Sequence, residues 1–320
     1  MNYPYMFNVG NQYLIKEEYT KAIEVFQRVL EIEPFCKEAH NNLGVAYLRL
    51  GHTQEAIRSF SNVLRLDETH EEARHNLAAV LLQEGRYREA SRQYEEIVKF
   101  RPDDLDACYN LGVALMPQGR LEQAKLCFER VLKIQPDYCD AHINLAAVFV
   151  KLEQHEAAVR HYHTVLKLQP EHPFADYMVQ ALTGAGLPLM APPAYVKYLF
   201  DNYASFFDDH VQKILQYETP QKLKALFIRH CAHTPIEKSF AVLDLGCGTG
   251  LSGAVFRDMA HYLVGIDLSP KMLAIARTKN IYDALYDEDI TTKNWGNSTF
   301  DLVIAADVLV YLGDLERVFH

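Results

Sequence analysis

The sequence predicts two parts of different class: an all-helical repeat solenoid over residues 1–172, followed by an α/β domain built on a parallel sheet. Three observations carry this expectation. A pattern of alanine, aromatic and small residues returns every 34 positions through the first half. From about residue 240, short apolar runs alternate with amphipathic ones, as buried strands joined by helices do. The first of those runs ends in a glycine-rich turn, Gly246 to Gly250.

The repeat is explicit in its columns. Alanine occupies positions 22, 56, 90, 124 and 158, and an aromatic follows four residues later, at Phe26, Phe60, Tyr94, Phe128 and Tyr162. A second apolar column is Val9, Leu43, Leu77, Leu111 and Leu145, each followed by a small residue: Gly10, Gly44, Ala78, Gly112 and Ala146. Pro34, Pro102, Pro136 and Pro170 punctuate the repeat, with Glu68 in the skipped slot. Within one unit the apolar positions follow helical spacing, so each unit reads as two helices whose small residues permit close approach. Gly51, Gly85 and Gly119 sit where the first helix must end and the chain turn, and each proline stops the second helix. Pro117 marks an early end to its helix.

A 34-residue period with these features resembles the tetratricopeptide (TPR) repeat, five copies in register. The resemblance implies a stacked solenoid with a concave groove. It also places Asn8, Asn42, Asn76, Asn110 and Asn144, an unbroken ladder, on the first helices facing that groove. Asparagine offers both a donor and an acceptor, so the ladder could grip the backbone of an extended peptide. The alternative, that asparagine is simply common at this TPR position, stays open.

Residues 173–183 read as a further helix with a polar face, which suits a solenoid cap, and the Gly- and Pro-rich stretch 184–193 as a linker, so 173–193 forms the junction. Residues 194–235 are expected to be helical, with Pro220 near a helix start. The α/β domain then occupies 236–320, with strands expected at 240–245, 262–266, 281–286 and 300–306. Gly246, Asp267, Asp289 and Asp307 fall at the strand ends, where open parallel sheets bind ligands.

The glycine turn admits two frames. Gly248-x-Gly250-x-x-Gly253 matches the dinucleotide fingerprint, but that frame starts two residues late. Asp244-x-Gly246-x-Gly248-x-Gly250 instead resembles motif I of class I S-adenosylmethionine (SAM) methyltransferases, and IDLSPKMLAIA (266–276) their second motif. FDNYASFFDDHV (200–211), LYDEDI (285–290) and FDLVIAADVLVYLGDLERVF (300–319) resemble a bacterial family of predicted methyltransferases that carry TPR repeats, with the same domain order. The resemblance implies a Rossmann-like domain with SAM as cofactor and no particular methyl acceptor. Carried over by motif, Gly246, Gly248 and Gly250 pass under the methionine part, Asp244 supports the loop or reaches the amino group through water, and Asp267 holds the ribose. Leu268 and Met272 pack on the adenine, Asp289 accepts from its amino group with Ile290 stacking, and Ala305 and Asp307 border the methionine end. Asp289 as a solvated loop acid remains the alternative. The helix Tyr195–Phe207 resembles an aromatic lid. Tyr203, His210 and Tyr311 are the candidate bases, needed only if the acceptor must lose a proton; core packing for Tyr203 and a surface position for His210 are the plain alternatives. Cys247 reads as a small loop filler.

Composition narrows the rest. Net charge is −10, with 25 acidic against 20 basic residues in 1–172 and 17 against 12 in 173–320, so each part sits at −5. No basic half exists, which argues against general nucleic-acid binding or docking on anionic membranes. No apolar run approaches a membrane span, there is no signal sequence, and the six cysteines form no CxxC pair, as in reduced cytosolic proteins. His230-Cys231-x-His233 lacks the further ligands of a metal site, so no metal is expected. The expected function is a cytoplasmic SAM-dependent methyltransferase whose TPR part engages a protein or extended peptide. The alternatives are a tethered small-molecule methyltransferase and a non-catalytic adaptor with a vestigial SAM domain. The repeats take 5 × 34 = 170 residues, and after the junction and lid about 85 remain, room for about four of the seven strands of a class I sheet. A C-terminally incomplete domain of weak activity is therefore expected.

Overall fold

The computed structural model describes residues 3–184, 191–230, 240–293, 295 and 299–312, and divides into two compact units, Met1–Pro170 and Glu171–His320. The first consists of antiparallel helix pairs: α1 (Tyr3–Ile15) with α2 (Tyr19–Ile32), α3 (Lys37–Arg49) with α4 (Thr53–Leu66), α5 (Glu71–Gln83) with α6 (Tyr87–Phe100), α7 (Leu105–Leu115) with α8 (Leu121–Ile134), and α9 (Cys139–Lys151) with α10 (His155–Leu168). The alanine and aromatic columns are buried at every repeat, so one continuous core runs through the stack. Within pairs the small column lies directly on the aromatic one. A Cβ added at Gly10, Gly44 or Gly112 would come within 2.6–2.7 Å of Phe26, Phe60 or Phe128. Where the small residue is alanine, at 78 and 146, the facing aromatic is tyrosine, Tyr94 and Tyr162.

The turn inside each pair uses one left-handed residue. Gly51, Gly85 and Gly119 fill that slot at φ +70 to +75°, and Glu17 and Glu153 fill it at φ +59°. Only the glycines adopt it without a Cβ penalty. Next to Gly119, α7 stops at Leu115 and Pro117 lies in a short 3₁₀ turn, Met116–Gln118. Some helix starts are capped by a side chain: His70, Asp104 and His172 each accept the backbone N–H three residues on.

The second unit begins with α11 (Pro173–Thr183). The sequence assigns this helix to a solenoid cap; it lays Phe174 and Tyr177 on Tyr195 of α12 (Pro193–Asp209) within the second unit, because its apolar side is aromatic and meets an aromatic helix. Most of the expected linker, 185–190, lies outside the described residues. A π-helical turn, His210–Ile214, ends α12, and α13 (Thr219–His230) follows.

The sheet contains β1 (Phe240–Leu245), β2 (Ala260–Asp267), β3 (Ala284–Asp287) and β4 (Leu302–Ile304) in the order β3-β2-β1-β4, all parallel among the described residues. β2 is longer and β3 and β4 are shorter than the sequence predicts. Helices α14 (Leu251–Phe256) and α15 (Pro270–Thr278) follow β1 and β2. One core gathers Val242, Leu263 and Ile304 under Leu223 and Phe227 of α13 and Phe256 of α14, and another joins Leu243, Leu245, Val264 and Ile266 to Tyr286, Trp295 and Phe300. Strand order reverses at β1, which lies between β2 and β4, so the carboxyl ends of these three strands border the crevice where such sheets take ligands.

Candidate functional site

That crevice is a cavity of about 370 Å³, within the usual range for small-molecule sites. One wall is formed at the carboxyl ends of the strands: Gly246 and Gly248 after β1, Asp267 at the end of β2 with Leu268 after it, Asp289 and Ile290 after β3, and Ala306, Asp307 and Val308 after β4. Met272 of α15 closes one side, and Phe200, Tyr203 and Phe207 of α12 line the opposite wall with Tyr311. Phe200 meets Tyr311 edge-on at 5.3 Å, and Tyr203 meets Phe207 at 5.0 Å.

The glycine loop divides its duties. Gly246, Gly248 and Gly250 all have positive φ, +61, +53 and +91°. A Cβ at Gly246 would strike Val308 at 2.4 Å, so that glycine serves packing against the segment that follows β4. A Cβ at Gly248 would meet nothing within 4 Å; its backbone lies open to the cavity. Gly250 begins α14 and faces Tyr282, away from the cavity. Gly253, the glycine that completes the dinucleotide frame, is explained by the same tyrosine, whose hydroxyl would lie 2.2 Å from an added Cβ.

Asp267 is fixed by two backbone donors, Gly248 N–H to Oδ2 and Ser269 N–H to Oδ1, each at 2.8 Å. Burial raises its pKa, and those two bonds oppose the rise. Asp289 directs one carboxylate oxygen to the backbone N–H and hydroxyl of Thr291, at 2.8 and 2.7 Å. Asp307 holds a left-handed backbone at φ +58° and accepts the Tyr217 hydroxyl, whose pKa burial and this carboxylate push upward. Asp244 does not line the cavity. It lies beneath the loop at 1% exposure, with Oδ2 accepting the Tyr282 hydroxyl at 2.6 Å and the Gly253 backbone N–H also directed at the carboxylate. Burial pushes its carboxyl up to about 7. Cys247 is buried, which raises its thiol well above the ordinary range and keeps it an inert filler.

The remaining expected residues fall as follows. Just past β4, the Ala305 side chain packs into the core, and Ala306 and Asp307 line the cavity. Tyr203 and Tyr311 line the cavity, and burial raises both phenol pKa values. His210 stands behind the wall, its Nδ1 on the Tyr203 hydroxyl. Cys231 and His233 lie outside the described residues, among which no cluster of three or more metal-ligating side chains occurs. In the first unit all five ladder asparagines lie on first helices, and three of them have partners within the protein. Asn42 donates to Asn11 at 2.7 Å, Asn144 donates to the Tyr109 hydroxyl at 2.9 Å, and Asn110 bonds the Tyr94 hydroxyl. Sequence reasoning missed Tyr282 and Tyr217, which belong to no motif, and gave no role to Asp201 and Asp208, although both lie in the stretch 200–211 that carries the family resemblance.

Residues 3–178, more than half of the chain, match the family model of the cilia and flagella-associated protein 70 C-terminal domain. The chain belongs to that family. In this family member the repeats precede a methyltransferase domain, matched over residues 243–320, and SAM is the cofactor such a domain takes. Among curated relatives, the chain is 62% identical over 39 residues to an 18S rRNA (guanine-N(7))-methyltransferase of Bos taurus, covering 12% of this chain and 14% of that one. It is 26% identical over 137 residues to a probable enzyme of the same name from Dictyostelium discoideum, covering 41% and 44%. It is 39% identical over 92 residues to a trans-aconitate 2-methyltransferase of Escherichia coli, covering 28% and 35%. The chain thus spans less than half the length of these relatives. The helical unit is similar to a MamA RS-1 double mutant (25% identity, TM-score 0.50, 53% of this chain and 95% of that one). It also shares its fold with YrrB, a TPR protein with an unusual peptide-binding site (23% identity, TM-score 0.51, 53% and 88%). Among the described residues no helix is long and apolar enough to cross a membrane.

The site fits SAM on its own evidence: Gly248 leaves space where any other residue would place a side chain, and Asp267 is anchored beside it with further lone pairs for ribose hydroxyls.

Proposed function

We propose that the chain is a SAM-dependent methyltransferase whose TPR-type repeats engage a protein. The observation that carries this is the pairing of an open Gly248 backbone with the anchored Asp267 carboxylate on one cavity. In this reading Asp267 holds the ribose, Leu268, Met272 and Ile290 enclose the adenine, Asp289 accepts from its amino group, and Gly246, Gly248 and Asp307 border the methionine end. Asp244 supports the loop from beneath. When bound, the sulfonium supplies an already activated methyl group. The protein's own task is alignment and exclusion of water, and alignment alone is worth about 7–11 kcal/mol. Tyr203 and Tyr311 stand where an acceptor proton could be taken, with His210 behind Tyr203 to receive it.

The asparagine ladder supports a polypeptide in the repeat groove, through Asn8 and Asn76 together with ladder members that would exchange internal partners. A second reading, an RNA base as acceptor, is favoured by the names of the first two relatives above, while the charge of −5 on the second part weighs against extended contact with phosphate. Calorimetry with SAM tests the core of the proposal: binding that Asp267→Ala abolishes supports it, and no binding to the wild type refutes it. Transfer of labelled methyl into a lysate split into protein, RNA and small-molecule fractions then identifies the acceptor.

A further inference from the structure

The lid helix α12 touches the cofactor loops through more than its aromatic face. Two of its carboxylates, seven residues apart and so on one side of the helix, reach across to them. Asp208 accepts the hydroxyl of Thr249, the residue between Gly248 and Gly250, through Oδ1. Its Oδ2 pairs with Lys279, just past the end of α15, at 2.7 Å. Asp201 accepts the Ser269 hydroxyl at 2.6 Å. Both hydroxyl residues are buried, Thr249 at 1% and Ser269 at 0% exposure.

Ser269 makes the connection specific. Its hydroxyl donates to Asp201 and accepts the Met272 N–H at 3.1 Å, capping α15, while its own N–H donates to Asp267 at 2.8 Å. A continuous chain therefore runs from the lid through Asp201, Ser269 and Asp267 to the Gly248 N–H. A second link, Asp208 to Thr249, enters the same loop one residue further on. Buried hydroxyls aimed at carboxylates leave unsatisfied groups when the lid lifts, so the lid has a defined closed position.

We propose that Asp201 and Asp208 are positioning residues: a twin latch that fastens the aromatic lid to the two loops carrying Gly248 and Asp267, so that lid closure and retention of a nucleoside in the cavity are coupled. The latch rests on the reading of the cavity as a SAM site, but its mechanical half does not require any ligand. An α12 freed of both links keeps its aromatic contact with Tyr311 through Phe200 and loses its register.

The test uses the full chain. Amide hydrogen exchange of residues 193–209, measured without ligand, is compared for wild type, Asp201→Asn/Asp208→Asn and, on the opposite side, Thr249→Val/Lys279→Met, which leaves the lid sequence intact. Both double variants are expected to exchange at least about tenfold faster in this segment, with β1 and β2 unchanged, as loss of two charge-assisted hydrogen bonds implies. SAM affinity is expected to fall about tenfold or more, through faster release. Lid exchange within twofold of wild type in the Thr249→Val/Lys279→Met variant overturns the latch, even if the carboxylate variant fails to fold. Faster lid exchange with unaltered SAM release overturns the coupling. A wild type that binds no SAM while its lid exchange responds to the variants refutes the cofactor reading and leaves the latch standing.

Discussion

Replacing Asp244 by asparagine should stabilise the α/β unit in a pH-dependent way. Asp244 is 1% exposed, and its carboxyl stands near 7 against 3.8 in the unfolded chain. Burial is the main cause; the Tyr282 hydroxyl and the Gly253 backbone N–H oppose it, and the Asp267 charge adds to it. The sign follows directly. Below pH 3.8 both states carry the proton; between 3.8 and about 7 only the folded state does; above that neither does. The folded state therefore binds more protons in this window, and stability falls as pH rises through it. At about 1.4 kcal/mol per pH unit, the full fall is about 4 kcal/mol, and about 2–3 kcal/mol of it lies between pH 5 and 7. Asparagine keeps an acceptor for the Tyr282 hydroxyl and has no charge to bury, so its stability lacks this slope. Urea unfolding followed by tryptophan emission reads the effect cleanly, because the chain has one tryptophan, Trp295, packed against Tyr286 and Phe300 in this unit. The gap between the Asp244→Asn variant and wild type should widen by those 2–3 kcal/mol, or about that, from pH 5 to 7. A gap constant to within about 0.5 kcal/mol would mean that the Asp244 carboxylate is solvated in the folded state, and would refute the reasoning.

Other outcomes follow from single contacts. Gly248→Val should weaken SAM binding at least tenfold by calorimetry, while strain at its left-handed backbone lowers stability by only about 1–2 kcal/mol. Glu153→Gly should raise the melting stability of the helical unit by about 0.5–1 kcal/mol, since glutamate there holds the φ its glycine counterparts adopt freely. Gly112→Ala should cost about 1–2 kcal/mol despite better helix propensity, because its Cβ would lie 2.7 Å from the Phe128 ring.

What the amino-acid sequence determined by itself is whatever depends on local spacing. Helix periodicity and the 34-residue columns specified the helix pairs, because each unit repeats the same short-range contacts. The glycine turn after a buried strand located the cavity, since φ above zero and close approach are demands on single residues. Spacing also placed Asp267, Asp289 and Asp307 at strand ends. Only the tertiary structure decided what joins distant segments. Tyr282 meets Asp244 across 38 residues, Asp208 meets Thr249 across 41, and Asp201 meets Ser269 across 68. The motif at 200–211 marks the stretch that holds Asp201 and Asp208, but not their partners, because a buried acceptor is satisfied by whichever donor the fold delivers. The same holds for the asparagine ladder: its register was plain in the repeat, but that Asn42, Asn110 and Asn144 find partners within the protein depends on how one repeat stacks on the next.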